Sequence, residues 1–255
     1  LIAGDKSLLR ETNLIVAAGG GERDLAADER ILGALDLADK PEELLAAKLA
    51  SEIRPTLFLA QLPNLFAGNI SIVHGVDGSS RTFMGEEPAG VDAVRIAAER
   101  LWAGQGDLFL VGAAYNACRK DNLLIYRPGG LLLEGEFRPL WERPDAGMAL
   151  GSSAAFLVLE AREHAERRGA APLGRLVAIQ SSQSDRAGGG SAATAERQWR
   201  ALEPHLAGAV PVISAASGAG PATTEERAVL STLQSRGRVT AVRGIAGALG
   251  HSIEA

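Results

Sequence analysis

Two adjacent carboxylates, Glu86 and Glu87, stand where the sequence predicts a turn between a strand and a helix. The helix begins near Pro88, because proline is favoured in the first helical position and apolar residues then recur at helical spacing. In α/β enzymes such a turn commonly holds a nucleophile, since a helix N-terminus lowers the pKa of a thiol and stabilises an oxyanion. Here the turn carries Glu87 and no nucleophile. We interpret the two carboxylates as helix-capping groups rather than as an acid/base pair.

The other groups that could do chemistry are scattered along the chain. His74, His164 and His205 have no acidic or thiol partners at metal-ligand spacing, so we interpret them as surface or helix-face residues and expect no metal. The single cysteine, Cys118, excludes an internal disulfide, and we interpret it as a small core or strand-end residue. Ser152 is not surrounded by the G-x-S-x-G pattern of a nucleophile elbow.

A triple glycine at residues 19–21 follows a predicted strand. The sequence around it lacks the spacing of a Walker motif or of a dinucleotide-binding motif. We therefore expect neither a bound phosphate group nor any other cofactor.

Alternating strand and helix patterns position these residues. A continuous unit at residues 69–114 is predicted to run as strand, turn, helix and strand, with Ile70, Ile72 and Val73 in the first strand, a short extended run at 79–84 and a buried strand at 108–113. Further strands are predicted at 13–18, 154–160, 173–180, 210–215 and 239–245. Helices are predicted at 28–37, 41–52, 55–68, 162–169, 199–206 and 224–234, with Thr224 as the N-cap of the last. Residues 116–135 and 181–195 are predicted to be loops. The alternation indicates a three-layer α/β protein with a largely parallel or mixed sheet.

Composition limits the class of protein. The 255 residues are 46% hydrophobic and 22% charged, which is typical of a globular chain with a sizeable core. The net charge of -5 and the scattered lysines and arginines argue against a nucleic-acid partner. No apolar run reaches about 18 residues, so we expect no membrane span, and we see no signal peptide. Because a single cysteine fits a reducing compartment, we expect a cytoplasmic protein.

Four stretches of the sequence then resemble one family: FAGNISIVHGVDGS, LVGAAYN, RPLWERPDAGMALGSSAAFLVLEAREHAERRGA and GIAGALGHSIEA. They resemble the β-ketoacyl-acyl carrier protein synthases of the thiolase fold, and residues 138–170 carry the most specific part. The resemblance implies a layered α/β/α/β/α architecture with mixed sheets, incomplete at both ends relative to a typical member. It implies one domain over residues 1–255, with 1–135 mostly in the first half and 136–255 mostly in the second.

The same resemblance implies where the catalytic groups should be. It places the family's nucleophilic cysteine at Glu87, its first active-site histidine at Ala216, its lysine at Ala246 and its second histidine at His251. Three of the four groups are therefore replaced, and only His251 retains the family's residue type. Because decarboxylation and condensation need a thiolate and imidazole donors, we expect the chain not to condense acyl groups.

Two functions remain open from the sequence. The first is a non-condensing partner subunit of an active synthase, similar to the chain-length factors of polyketide systems or to accessory synthases of very-long-chain fatty acid clusters. The second is an acyl-thioester enzyme with altered chemistry that uses Glu87 and His251 as acid and base. The resemblance implies an acyl carrier protein as a partner. It also implies a homodimer, or a heterodimer with a Cys-containing ketosynthase, formed through the predicted strand at 69–80.

Overall fold

The computed structural model describes residues 6–21, 23–85, 88–185 and 189–245. In this part of the chain the strands are β1 (Asn13–Ala18), β2 (Ser80–Met84), β3 (Leu108–Tyr115), β4 (Ser153–Glu160), β5 (Val210–Ser214) and β6 (Val239–Gly244). The helices are α1 (Lys6–Glu11), α2 (Leu25–Leu35), α3 (Pro41–Glu52), α4 (Pro55–Ala60), α5 (Asn64–His74), α6 (Ala89–Trp102), α7 (Lys120–Tyr126), α8 (Arg162–Arg167), α9 (Gly190–Leu202) and α10 (Gly220–Ser235). Short 3₁₀ turns lie at Leu140–Glu142 and Glu203–His205.

The first sheet is mixed and has the strand order β2-β1-β3-β4. β1 is parallel to both of its neighbours, whereas β4 is antiparallel to β3. Alternate residues of β1 enter two different cores: Ile15 packs with α6, and Leu14 packs with Ala67 of α5. Because helices cover both faces, β1 is a continuous apolar strand, as central parallel strands generally are. This layered, mixed-sheet arrangement confirms the predicted fold class.

The side chain of Asn13 joins three strands at their amino ends. Its Oδ1 accepts hydrogen bonds from the amide of Ser79 at 3.2 Å and from the hydroxyl of Ser79 at 2.6 Å. Its Nδ2 donates to the carbonyl oxygen of Leu108 at 3.3 Å. One polar side chain thus fixes the starts of β1, β2 and β3 relative to one another.

The second sheet consists of β5 and β6, which are parallel. α10 covers it with Val229, Leu230 and Leu233, and α9 packs against α10. The carboxylate of Glu225 on α10 accepts hydrogen bonds from two amides at the start of α9, those of Gly189 at 3.1 Å and Ala192 at 2.9 Å. A carboxylate is favourable there because the N-terminus of a helix exposes free N–H groups and carries a partial positive charge.

Most predicted elements are present. The structure confirms the strands predicted at 13–18, 79–84, 108–113, 154–160, 210–215 and 239–245, each with bounds within a residue or two. It also confirms the helices predicted at 28–37, 41–52 and 162–169, and the helix expected to begin near Pro88.

The strand predicted through Ile70, Ile72 and Val73 is wrong, because these residues belong to α5. The segment ends as a helix ends: Gly75 adopts a φ of 71°, and its amide donates to the carbonyl of Ser71. A left-handed glycine at this position is a common helix terminator. Ile70 is partly buried against β1, while Ile72 and Val73 face outward.

Four further predictions need correction. The predicted loop at 116–135 contains α7, and the predicted loop at 181–195 contains the start of α9. α10 begins at Gly220 with Ala219 as its N-cap, so Thr224 lies inside the helix. Residues 173–180 pair with no strand in the part of the chain that the structure describes, and Leu173 is fully exposed. Without a neighbouring strand their backbone forms no ladder, so the apolar sequence alone does not make a strand.

Candidate active-site region

The strand and the helix that the sequence placed on either side of the central carboxylates are both present. β2 ends at Met84, which pairs with Ala18 of β1, and α6 begins at Ala89 directly after Pro88. The small, fully buried side chains of Ala93 and Ala97 allow α6 to lie close against the sheet. Glu86 and Glu87 lie outside the described residues, so their capping role stays a prediction.

Ala216 lies in the loop that follows β5. It is 7% exposed and packs in an apolar cluster with Leu140, against which Trp141 also rests. The nearby hydroxyl of Ser214 is already engaged, since it donates to Glu226 Oε1 at 2.6 Å and accepts from the amide of Ala216 at 3.1 Å. The position therefore offers a methyl group and no side-chain proton donor.

β6 ends beside the same loop. Gly244 pairs with Ser214, and the amide of Ile245 donates to the carbonyl of Ser214 at 2.9 Å. Ala246 and His251 follow in sequence and lie outside the described residues. The described part of the chain thus ends at Ile245, beside the loop that carries Ala216, and the role of His251 stays a prediction.

Loops from separate parts of the chain meet in this region. The amide of Gly147 donates to the carbonyl of Gly218 at 2.7 Å. Tyr115 at the end of β3 and Ala219 at the start of α10 both pack against a cluster built on Tyr126 and Met148. The end of β3 and the loop after β5 therefore pack against the same apolar cluster.

Arg119 joins the triple glycine to the start of α7. Its Nη1 donates to the carbonyl of Gly20 at 3.0 Å, and its Nη2 donates to the carbonyl of Gly21 at 2.6 Å. The same guanidinium binds both carboxylate oxygens of Asp121. Burial alone would raise the pKa of Asp121, but the hydrogen bond and charge of Arg119 outweigh it and hold that pKa below its ordinary value. The sequence interpretation missed this group because it treated residues 116–135 as a loop; the polar-then-apolar run KDNLLIY was the available helix signal.

The histidines and the cysteine lie apart from this region or have local roles. His74 and His205 are exposed, as predicted. His164 lies 2.5 Å from Glu160 Oε1, and Arg168 binds both oxygens of the same carboxylate. The hydrogen bond from Arg168 is the main reason that the pKa of Glu160 lies below its ordinary value, and His164 lowers it further against the effect of burial.

Cys118 is exposed and lies three residues beyond the end of β3, so it is a strand-end residue rather than a core residue. Ser152 accepts a hydrogen bond from the amide of Ala117 at 2.9 Å. The described residues contain no group of three or more His, Cys, Asp or Glu side chains placed to hold a metal ion. In the same part of the chain, every helix is too short or too polar to cross a membrane.

The layered fold and the strand–turn–helix unit define a class, and comparison with known proteins identifies it. The model of the beta-ketoacyl synthase N-terminal domain matches residues 5–165, which is more than half of the chain. The chain belongs to the β-ketoacyl synthase family.

One curated relative is 3-oxoacyl-[acyl-carrier-protein] synthase 2 of Vibrio cholerae, which is 26% identical over 144 residues, covering 54% of this chain and 35% of that protein. The match thus spans about a third of the relative's length.

Two solved structures share the fold. The ishigamide ketosynthase/chain length factor superposes with a TM-score of 0.68 at 20% identity, covering 98% of this chain and 60% of that one. The structure AntDE:AntF, a type II PKS acyl-carrier protein in complex with its ketosynthase bound to the hexaketide, gives a TM-score of 0.61 at 18% identity, covering 96% and 65%. The proteins that this chain resembles therefore include an acyl-carrier-protein synthase and, in fold, a ketosynthase of a type II PKS.

Proposed function

We propose that this chain is a ketosynthase-like subunit of fatty acid or polyketide-type acyl chain synthesis that does not itself condense acyl groups. It pairs with a ketosynthase that carries the nucleophilic cysteine. Residues 1–135 and 136–255 act as the two halves of one domain in this role. The observation that carries the proposal is Glu87, which stands in the sequence two residues before α6 begins, where the family resemblance places a thiol.

The chemistry of condensation explains why this position decides the function. A ketosynthase holds the growing chain as a thioester, and a carboxylate is a much weaker nucleophile toward an acyl thioester than a thiolate is. The one thiol of the chain, Cys118, follows β3, and β1 separates β3 from β2 in the sheet. Cys118 therefore does not stand in for the missing nucleophile.

The environment of Ala216 supports the same conclusion. A methyl group packed against Leu140 cannot donate a hydrogen bond to an enolate or an oxyanion. Ser214 cannot replace it, since its hydroxyl is buried and bound to Glu226.

A partner ketosynthase has a suitable surface to bind. β2 pairs with β1 on one side, and no strand in the described ranges pairs with its other side. α5 packs beside β2 and exposes Ile72 at 84% and Val73 at 73%. Proteins generally cover such edges, since unpaired strands with apolar neighbours associate with other chains. The free edge of β2 with the end of α5 thus replaces the predicted strand at 69–80 as the interface. An acyl carrier protein is the second partner, on the basis of the family.

The proposal is tested with the complete protein, alone and together with a cysteine-bearing ketosynthase from the same organism. We expect the chain alone to form no acyl adduct with an acyl-carrier-protein substrate, as measured by intact-protein mass spectrometry, and to give no product with malonyl-carrier protein. The pair should condense.

The matched control is Cys118→Ser, because the exposed thiol of Cys118 can react without any role in catalysis. An adduct that disappears in this variant is adventitious. An adduct that persists, or product from the chain alone, would contradict the proposal.

A further inference from the structure

Arg227 on α10 has no counter-ion among the described residues. Its Cζ lies 5.7 Å from the centre of the Trp141 ring, a distance at which a cation is attracted to the face of an indole. Within the described part of the chain the guanidinium makes no hydrogen bond and no ion pair, and the residue is exposed. The stacking therefore holds the guanidinium in place while its N–H groups stay available to another molecule.

The position of Arg227 on α10 turns it toward the candidate active-site region. Residues that are three and four positions apart share one face of a helix. On this face the hydroxyl of Thr223 accepts a hydrogen bond from the amide of Gly218 at 3.1 Å, and Glu226 Oε1 accepts one from the hydroxyl of Ser214 at 2.6 Å. Arg227 thus belongs to the side of α10 that contacts the loop after β5.

Trp141 connects Arg227 with the ends of both strands of the second sheet. Its ring rests against the apolar cluster that contains Ala216, in the loop after β5. At the end of β6, a Cβ added to Gly244 would lie 3.3 Å from the indole Nε1, so the ring also lies against the backbone there. The family resemblance places a lysine at Ala246, two residues further on. The chain lacks that cation, but Arg227 brings another to the same end of the sheet.

The charges around the loop after β5 favour an anionic ligand. A second guanidinium, that of Arg143, lies against this loop, because its Nη1 is 3.1 Å from the position that a Cβ on Gly218 would take. Backbone carbonyls hold Arg143 there. The carboxylate of Glu226 is already hydrogen-bonded to Ser214. An anion that approaches Arg227 therefore meets two guanidinium groups and a carboxylate that is engaged elsewhere.

The form of the site favours a carboxylate at the end of a short apolar linker. A guanidinium presents two parallel N–H groups, which match the two oxygens of a carboxylate. The surface beneath the guanidinium is the ring of Trp141. A methylene group next to the carboxylate can pack on this apolar ring.

We propose that Arg227 binds the free carboxylate of a dicarboxylic acyl thioester, such as a malonyl thioester, and that Trp141 positions the guanidinium for this contact. The acyl-thioester class of the ligand rests on the proposed function. The selection for a carboxylate follows from the available guanidinium and from its place on the indole.

The test is direct binding of pantetheine thioesters to the complete protein, measured by calorimetry. Malonyl-pantetheine is compared with butyryl-pantetheine, which is similar in size and has no carboxylate. We expect the wild type to bind the malonyl thioester at least about tenfold more tightly, as for a hydrogen bond between charged groups. Arg227→Gln should remove this preference, because the amide carries no charge. Since Arg227 is exposed, this variant should fold normally.

Three further variants make the test specific. Arg236→Gln removes another exposed cation, at the C-terminal end of α10, and should keep the wild-type preference. Trp141→Leu should reduce the preference by about two- to fivefold, since the cation loses its aromatic support. Trp141→Phe should keep most of it, because the indole N–H has no hydrogen-bond partner in the described residues. Thermal melts show that each variant is folded.

The same two thioesters of 4′-phosphopantetheine distinguish a carboxylate site from a phosphate site. If Arg227→Gln weakens the malonyl and butyryl forms of these ligands equally, the guanidinium binds the phosphate and the inference is overturned. It is also overturned if the folded wild type binds neither thioester or does not prefer the malonyl form, or if Arg227→Gln keeps the preference. Loss of the preference in Arg236→Gln would have the same consequence, and an unchanged preference in folded Trp141→Leu would exclude the positioning role. Binding requires no condensation, so a chain that binds malonyl thioesters but condenses by itself would contradict the proposed function and leave this inference intact.

Discussion

Placing a thiol before α6 distinguishes two possibilities. The chain is either a subunit that has lost several groups needed for condensation, or an enzyme that lacks only its nucleophile. The variant is Glu87→Cys. Because α6 is a 14-residue helix, its N-terminus should lower the pKa of the new thiol, and we expect the variant to accept an acyl group from an acyl carrier protein. We expect no condensation from it.

The expected deficit follows from the environment of Ala216. One preorganised donor is typically worth about 10²- to 10³-fold in rate, and Ala216 provides none while Ser214 is bound to Glu226. Glu87→Cys should therefore turn over at least about 10²-fold more slowly than a cysteine-bearing synthase assayed beside it. Losses at sites that act together do not simply multiply, so this is the lower bound.

The assay compares Glu87→Cys with Glu87→Cys/Ala216→His for decarboxylation and for condensation of malonyl-carrier protein. Ala216 is packed against Leu140, which is itself 6% exposed, so an imidazole at 216 should reduce stability by about 1–3 kcal/mol and melting curves must accompany the rates. Robust product from the single variant would mean that the catalytic positions have been misassigned. The non-condensing proposal would then lose its main support.

Three more variants probe the fold and the interface. Glu160→Gln should lower the free energy of unfolding at pH 7 in urea titrations, because Arg168 loses its carboxylate partner. The pKa of folded Glu160 is held below its ordinary value. The stabilisation by this carboxylate is therefore present above the unfolded pKa of about 4.3 and is lost as the pH falls through the lower folded pKa. Equal stability differences between wild type and variant at pH 7 and in acid would refute the assignment. Gly218→Ala should reduce stability by more than Gly237→Ala. Both glycines have a positive φ, but of these two only Gly218 would place an added Cβ within 3 Å of another atom. Equal losses in melting temperature would count against the packing seen around Gly218. Ile72→Lys should leave the chain folded by circular dichroism but abolish co-purification with the partner ketosynthase, and retained binding would exclude this end of α5 from the interface.

Local sequence patterns correctly predicted the strands and helices whose burial in the structure follows the same pattern. β1 and β3 are apolar runs with helices on both faces, and their burial reproduces the pattern in the sequence. The sequence predicted a strand where α5 lies, because the apolar spacing of Ile70, Ile72 and Val73 fits both the two-residue period of a strand and the period near 3.6 residues of a helix. The decisive signals were at the ends, where Pro63 precedes the helix and Gly75 terminates it.

Non-local contacts account for the rest. The start of α9 is a run of Gly, Ser and Ala with no cap of its own, and the carboxylate of Glu225, 36 residues after Gly189, fixes it. The contact of Arg119 with the triple glycine could not be read from the sequence either, since the carbonyls that accept its hydrogen bonds lie 98 and 99 residues earlier in the chain. The apolar environment of Ala216 likewise depends on Leu140, which lies far earlier in the chain.

The hydrogen bonds that Asn13 makes to the starts of β2 and β3 also affect the order in which the chain can fold. Its partners are 66 and 95 residues away, so the first sheet forms only after long loops have closed, which is a slow, entropically costly step. The β5–α10–β6 unit needs no such closure, because its strands are joined by one helix that covers them. The second sheet should therefore form quickly and the first slowly. During that interval the apolar segments of β1 and β3 are unpaired, which makes refolding of this protein sensitive to protein concentration.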